Sequence, residues 1–238
     1  MDPYKGIAVK SSEILLFYPL HSIIYYQHVN NSSLLTTIKN LNNNQGFYNG
    51  IRFQLMYLPI NKFIDLQCYK DYGSSIYGGL ICSFVKGFTY PLNSFEVYYN
   101  LHSCYPKIKN LYNGYSFYFI SNTLSYVIWF NSLEYFNKKI KFDINEREKK
   151  NNLLIKKLKK DFCVGFLSGI IVDIAMNPLR VLKTNLQNDY KNTIKNIYKI
   201  ENYNIFNSSS LINRGLKSKL ILSALQSSYF NIFINFKF

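Results

Sequence analysis

Apolar residues are densest between Phe162 and Met176, a run of apolar and small residues broken only by Asp173. Gly165 and Gly169 stand four apart in it, which places them on one face of a helix. Asn177-Pro178-Leu179 follows, and then helix-compatible residues carrying Arg180, Lys183 and Gln187. A proline inside a helix removes one backbone hydrogen bond and crowds the preceding turn. A soluble helix usually ends there, whereas a membrane helix often kinks and continues because its neighbours satisfy the freed groups. The same kind of segment occurs twice earlier. Tyr18-Pro19-Leu20-His21-Ser22 follows the apolar run 14–17, and Tyr90-Pro91-Leu92-Asn93-Ser94 follows segment 76–88 with Gly78, Gly79 and Gly87.

After each Pro-Leu come a polar connection, a glycine and a second apolar segment. The glycines are Gly50, at the end of Gly46-Phe47-Tyr48-Asn49-Gly50, then Gly114 and Gly215. The pattern predicts six helices at about 4–29, 51–70, 74–101, 115–137, 160–188 and 216–236. A helix of about 20 residues is roughly 30 Å long, the thickness of a hydrocarbon core. The alternation reads as one domain over 1–238, with repeats 1–73, 74–140 and 161–238 and a basic linker 141–160. Pro-Leu and Tyr-Asn-Gly also occur by chance in soluble all-α domains, so that alternative stays open.

Composition supports a large core and an anionic partner. Of 238 residues, 48% are hydrophobic and 18% aromatic, and Lys+Arg outnumber Asp+Glu by 28 to 13. The net charge of +15 suits nucleic acid, an anionic lipid surface or an acidic ligand without choosing among them. Cys68, Cys82, Cys104 and Cys163 are scattered and the three histidines do not join them, so no metal site and no cofactor are expected. His21, His28 and His102 have no evident nucleophile partner, so an enzyme is not expected and no residue is assigned a catalytic role. MDPYKGIAVK lacks a long apolar stretch, and no cleavable signal is expected. No clean run of about 20 apolar residues stands out, so spanning helices would be amphipathic members of a bundle with polar faces inward.

These residues resemble the mitochondrial carrier family. Pro178, Lys183, Thr184 and Gln187 match its proline–base–glutamine motif, Gly165 and Gly169 its small-residue spacing, and Gly46-Phe47-Tyr48-Asn49-Gly50 its aromatic–glycine turn. The resemblance covers nearly the whole chain and is most specific in the third repeat. It implies an all-α membrane protein of six transmembrane helices in three helix–loop–helix repeats with pseudo-threefold symmetry. Kinks would fall at Pro19, Pro91 and Pro178. The chain departs from the pattern where the family has an acid after each proline, for here stand His21, Asn93 and Arg180. The basic position holds Ile24, Glu96 and Lys183, and the second matrix-side helix is reduced to a turn.

Carried over residue by residue, the resemblance implies a matrix gate of His21, Asn93, Glu96, Arg180, Lys183 and Gln187. In it His21 faces Glu96 and Asn93 faces Lys183. Arg180 faces Ile24 and needs another acceptor, such as a backbone carbonyl, water or a lipid phosphate. His28, Asn100 and Gln187 take the bracing positions. At the cytoplasmic mouth Lys70 and Glu134 would pair. The substrate-binding positions, counted from the turn glycines, are Tyr57, Ser121 with Asn122, and Leu222 with Ser223. None is charged, which argues against an adenine nucleotide and permits a small neutral or amphiphilic solute, or none. Each of these residues also has a plainer reading as a solvated helix end or a packing group. The linker 141–160 is either a solvated charged segment or, through Leu153, Leu154, Ile155 and Leu158, an interfacial helix on anionic head groups.

Three functions compete. The first is a monomeric transporter of a small solute by alternating access, multi-pass in the mitochondrial inner membrane or another organelle membrane, with an anionic lipid such as cardiolipin as partner. The second is a degenerate carrier fold acting as a non-transporting membrane adaptor or structural protein. The third, a soluble basic helical protein on nucleic acid, lacks a helix-turn-helix or aromatic-rich motif, so no nucleic-acid partner is expected.

Overall fold

A computed structural model describes residues 3–44, 46–140, 150–189 and 214–235, and among them the regular elements are all helical. The helices are α1 (Pro3–Asn30), α2 (Leu34–Asn44), α3 (Ile51–Tyr72), α4 (Ile76–Lys86), α5 (Tyr90–His102), α6 (Tyr115–Lys139), α7 (Lys150–Asn188) and α8 (Leu216–Asn235). One 3₁₀ turn, Gly87–Thr89, joins α4 to α5, and a second, Ile108–Asn110, stands where the second repeat was expected to shorten its connection to a turn.

Four of the six predicted segments match α1, α3, α6 and α8 within a few residues, and the segment 74–101 is divided into α4 and α5. The short helix α2 was not among them. Helix α7 begins at Lys150, so 150–160 is helical where a linker was expected; the leucines and lysines there are strong helix formers. The rest of that linker, 141–149, lies outside the described residues, as does most of the connection before Gly215. Pro19 and Pro178 lie inside continuous helices, and Pro91 sits in the first turn of α5 directly after the 3₁₀ turn. Pro19 and Pro178 therefore do not end their helices.

Each long segment packs on its neighbours in chain order. Helix α1 lies against α3, α3 against α4 and α5, α4 against α6, α6 against α7, α7 against α8, and α8 returns to α1. The ring is closed. Helices α7 and α8 approach most closely at Gly165 and Gly169. A Cβ on Gly165 would collide with the Ser227 carbonyl oxygen, and one on Gly169 would stand 2.7 Å from that of Ser223. Only residues without a side chain permit this contact, which explains the spacing of four.

The distribution of polarity is inverted with respect to a water-soluble bundle. In α4, Gly78, Gly79, Cys82, Ser83 and Lys86 face inward, while Ile76, Tyr77, Leu80 and Phe84 are exposed. In α7, Ser168, Asp173 and Asn177 are buried and Phe162, Leu167, Ile171 and Ile174 are exposed. Helix α8 buries Gln226, Ser228 and Asn231 and exposes Ile221, Leu225 and Phe233. Two stretches, Pro3–Asn30 and Ile155–Asn188, are long and apolar enough to cross a membrane. No uninterrupted apolar run was evident there in the sequence because isolated charges such as Glu13 and Asp173 break both. In the fold those charges are buried in the ring.

Candidate functional site

The proline-bearing end of the ring is organised by one contact made three times. The residue before each proline donates from its side chain to the carbonyl that precedes a turn glycine: Tyr18 to Asn49, Tyr90 to Asn113, and Asn177 to Arg214. The glycines that follow, Gly50, Gly114 and Gly215, all have positive φ, a left-handed conformation costly for other residues. Three positions after the proline, Ser22 Oγ donates to the Phe47 carbonyl at 2.8 Å and Ser94 Oγ to that of Leu111 at 2.6 Å. Val181 holds the corresponding place in α7 and offers no hydroxyl.

Hydrogen bonds also join α1, α5 and α7 pairwise into a floor. Asn100 donates to Ser22 Oγ at 2.8 Å, to the Asn49 carbonyl at 2.8 Å and to Tyr18 Oη at 3.3 Å. Gln187 Nε2 donates to Asn93 Oδ1 and Ser94 Oγ, both at 3.1 Å. His28 Nδ1 lies 3.5 Å from Thr184 Oγ1, a looser contact. The bracing positions thus connect neighbouring helices around the ring.

The gate positions are placed as follows. Lys183 Nζ donates to Asn93 Oδ1 at 2.8 Å, the pair expected. His21 does not meet Glu96. Its Nε2 lies 2.9 Å from Gln226 Nε2 of α8, while Glu96, fully buried, accepts from Tyr57 Oη at 2.5 Å. Asn93 Nδ2 in turn donates to Tyr57 Oη at 2.7 Å. Arg180 finds its acceptor two turns back on its own helix, pairing with the buried Asp173, with Ser125 Oγ 3.4 Å away. A carboxylate within the helix satisfies the guanidinium better than the carbonyl, water or lipid phosphate anticipated.

At the opposite end Lys70 is exposed, and Glu134 accepts from Tyr69 Oη at 2.9 Å. No ion pair joins Lys70 to Glu134 among the described residues. The end is packed by an apolar cluster that includes Val9, Leu66, Phe130, Leu133, Val164 and Ile234. Phe130 stacks on Tyr69 with ring centroids 4.1 Å apart and meets Tyr126 at 4.8 Å.

Between the two ends lies a cavity with lobes of about 210 and 280 Å³ that share Lys10, Lys62, Asp65, Lys86 and Asn122 as walls. Of the counted substrate positions, Tyr57 and Asn122 line the larger lobe, and Asn122 and Ser223 the smaller. Ser121 is buried with its hydroxyl on the Tyr118 carbonyl at 3.0 Å, and Leu222 is fully buried; neither is part of the lining.

The cavity is charged. Lys10 and Glu13 pair at 2.5 Å, Lys86 and Asp65 at 2.5 Å, and Arg180 and Asp173 also line it. Lys183 borders the larger lobe. The counted positions on α3, α6 and α8 are themselves uncharged. The charges stand elsewhere: Lys10 and Glu13 on α1, Lys62 and Asp65 on α3, Lys86 on α4. Each was legible as a charge inside a predicted segment of spanning length, where a charge is costly and ordinarily functional. Arg52 is exposed and stacks against Phe53, Tyr99 and Tyr105 at 4.9, 5.1 and 5.6 Å.

In comparisons with known proteins, the chain matches no family model and no curated protein.

Proposed function

We propose that this protein is a six-span transmembrane carrier of a small solute, built from three helix–loop–helix repeats and working by alternating access in the mitochondrial inner membrane. The observation that carries the reading is the inverted bundle: a closed ring of long helices with apolar side chains outward and a charged cavity within. In water, exposed Phe, Ile and Leu on one helix after another would be unfavourable at about 25 cal/mol per Å². Against lipid tails they cost nothing, and the charged side chains are then kept from lipid by facing the cavity.

The threefold recurrence of the proline–carbonyl–glycine contact supports the repeat reading. The floor supports alternating access. Its contacts between α1, α5 and α7 are hydrogen bonds, each contributing about 1 kcal/mol net, so the three helices can part without breaking a buried ion pair between them. The cavity's size, rather than an absence of charge, now favours a small solute.

A second reading, a non-transporting membrane adaptor of the same fold, is favoured by the pairing of Arg180 with Asp173 within one helix. That pair leaves the gate without an ion pair between repeats among the described residues. Uptake of a metabolite panel into liposomes carrying the purified protein separates the two. Saturable uptake that falls when Tyr57→Phe or Asn122→Ala is introduced supports the carrier. Absence of saturable uptake across the panel, with the protein correctly inserted, supports the adaptor.

A further inference from the structure

The charges around the cavity do not balance. Its three lining carboxylates, Glu13, Asp65 and Asp173, each hold one base. Two bases remain. Lys62 Nζ lies over aromatic rings, 3.6 Å from the Trp129 centroid and 4.0 Å from that of Phe230. Lys183 Nζ binds a neutral amide oxygen, Asn93 Oδ1, at 2.8 Å and lies 5.5 Å from the Tyr118 centroid. Neither forms an ion pair among the described residues. Glu96 and Lys219 adjoin the site without lining it; Glu96 is a carboxylate that acts on Lys183, and Lys219 adds a further positive charge, so the site still holds two more bases than acids.

Both unpaired bases border the larger lobe, together with Asn122, whose amide nitrogen makes no hydrogen bond to the described residues. A ring face or an amide oxygen compensates an ammonium only partly, whereas an anion does so fully. A neutral solute would leave the excess of two positive charges uncompensated, and a cation would add to it.

We propose that this lobe binds a small doubly charged anion, a dicarboxylate or a phosphate. Lys62 and Lys183 supply the two counter-charges, and Asn122 donates a hydrogen bond. The aromatic rings beside Lys62 exclude water from the pair and sharpen its attraction. The inference deepens the carrier reading and rests on it for the ligand's fate, though not for its binding.

The test is thermal unfolding of the detergent-purified full chain at fixed ionic strength. The probes are succinate and inorganic phosphate, with acetate, succinamide and putrescine as controls. Ligand at about a hundred times its Kd should raise Tm by at least about 4 °C with one or both dianions and not with the controls. The arm that responds identifies the chemistry as carboxylate or phosphate. Lys62→Gln should raise the Tm of the empty protein, by removing an unpaired charge, and Lys62→Gln and Lys183→Gln should each abolish the shift. A merely structural lysine would lower Tm when replaced. Equal stabilisation by succinamide, no shift with either dianion, or a shift that survives both substitutions overturns the proposal. Liposome uptake separates the two claims. Stabilisation by a dianion that is not transported sinks the carrier reading and leaves this site standing. Saturable uptake of a neutral solute, unchanged by Lys62→Gln, sinks the site and leaves the carrier.

Discussion

The two ends of the bundle are closed by different physics. At the proline end polar groups make the contacts: Asn100 ties α5 to α1, Gln187 and Lys183 tie α7 to α5, and three side chains before prolines hold three turn carbonyls. At the other end Phe130, Tyr126 and Tyr69 stack within an apolar cluster, with Tyr69 donating to Glu134 and Tyr126 to the Gly73 carbonyl. Hydrogen bonds are directional and individually small, so a floor made of them is specific and separable. Aromatic packing is tolerant of polar change and sensitive to lost volume. The contrast makes the proline end the better candidate for a gate.

Substitutions at either end put this contrast at risk. The largest effect should come from Phe130→Ala at the apolar end. It removes a fully buried ring and leaves a cavity, and should cost about 3–5 kcal/mol, read as a lowered unfolding temperature in detergent. Asn100→Ala at the proline end should cost about 1–3 kcal/mol by the same measurement, because it removes the hydrogen bonds donated to the Asn49 carbonyl, Ser22 Oγ and Tyr18 Oη. Gly114→Ala should cost about 1–2 kcal/mol, the penalty of left-handed backbone for a residue with a side chain. The added Cβ would also stand 3.1 Å from the Lys183 carbonyl oxygen. The smallest effect should follow Lys70→Ala, within about 0.5 kcal/mol, because that lysine is exposed and holds no carboxylate among the described residues. A loss there as large as that of Asn100→Ala would mean that charge, not packing, closes the apolar end.

Much of the fold was legible in the sequence. The proline sites and turn glycines recur in the same order, and helix bounds follow from them because glycine at positive φ sits where a helix begins. The spacing of Gly165 and Gly169 was visible as well, and the close approach of α7 to α8 is its reason. The pair Lys183–Asn93 was legible from motif position alone. The partners of His21 and Arg180 were not, because Gln226 and Asp173 lie outside the motif, and motif spacing carries no information about side-chain reach. The cavity's charges were missed for a related reason. Lys10 and Glu13 interrupt α1, and Lys62 and Asp65 interrupt α3, and only packing brings the two pairs to one place.

Carrier and binding site alike depend on the apolar faces meeting lipid while the charged interior meets water. Spin labels on single cysteines in lipid vesicles probe this, with Cys68, Cys82, Cys104 and Cys163 replaced beforehand. Labels at Phe84, Ile174 and Ile221 should be accessible to dissolved oxygen and shielded from a water-soluble nickel chelate, and labels at Asn122 and Ser223 should show the reverse. Ready access of the chelate to the first three positions would contradict a lipid-facing exterior.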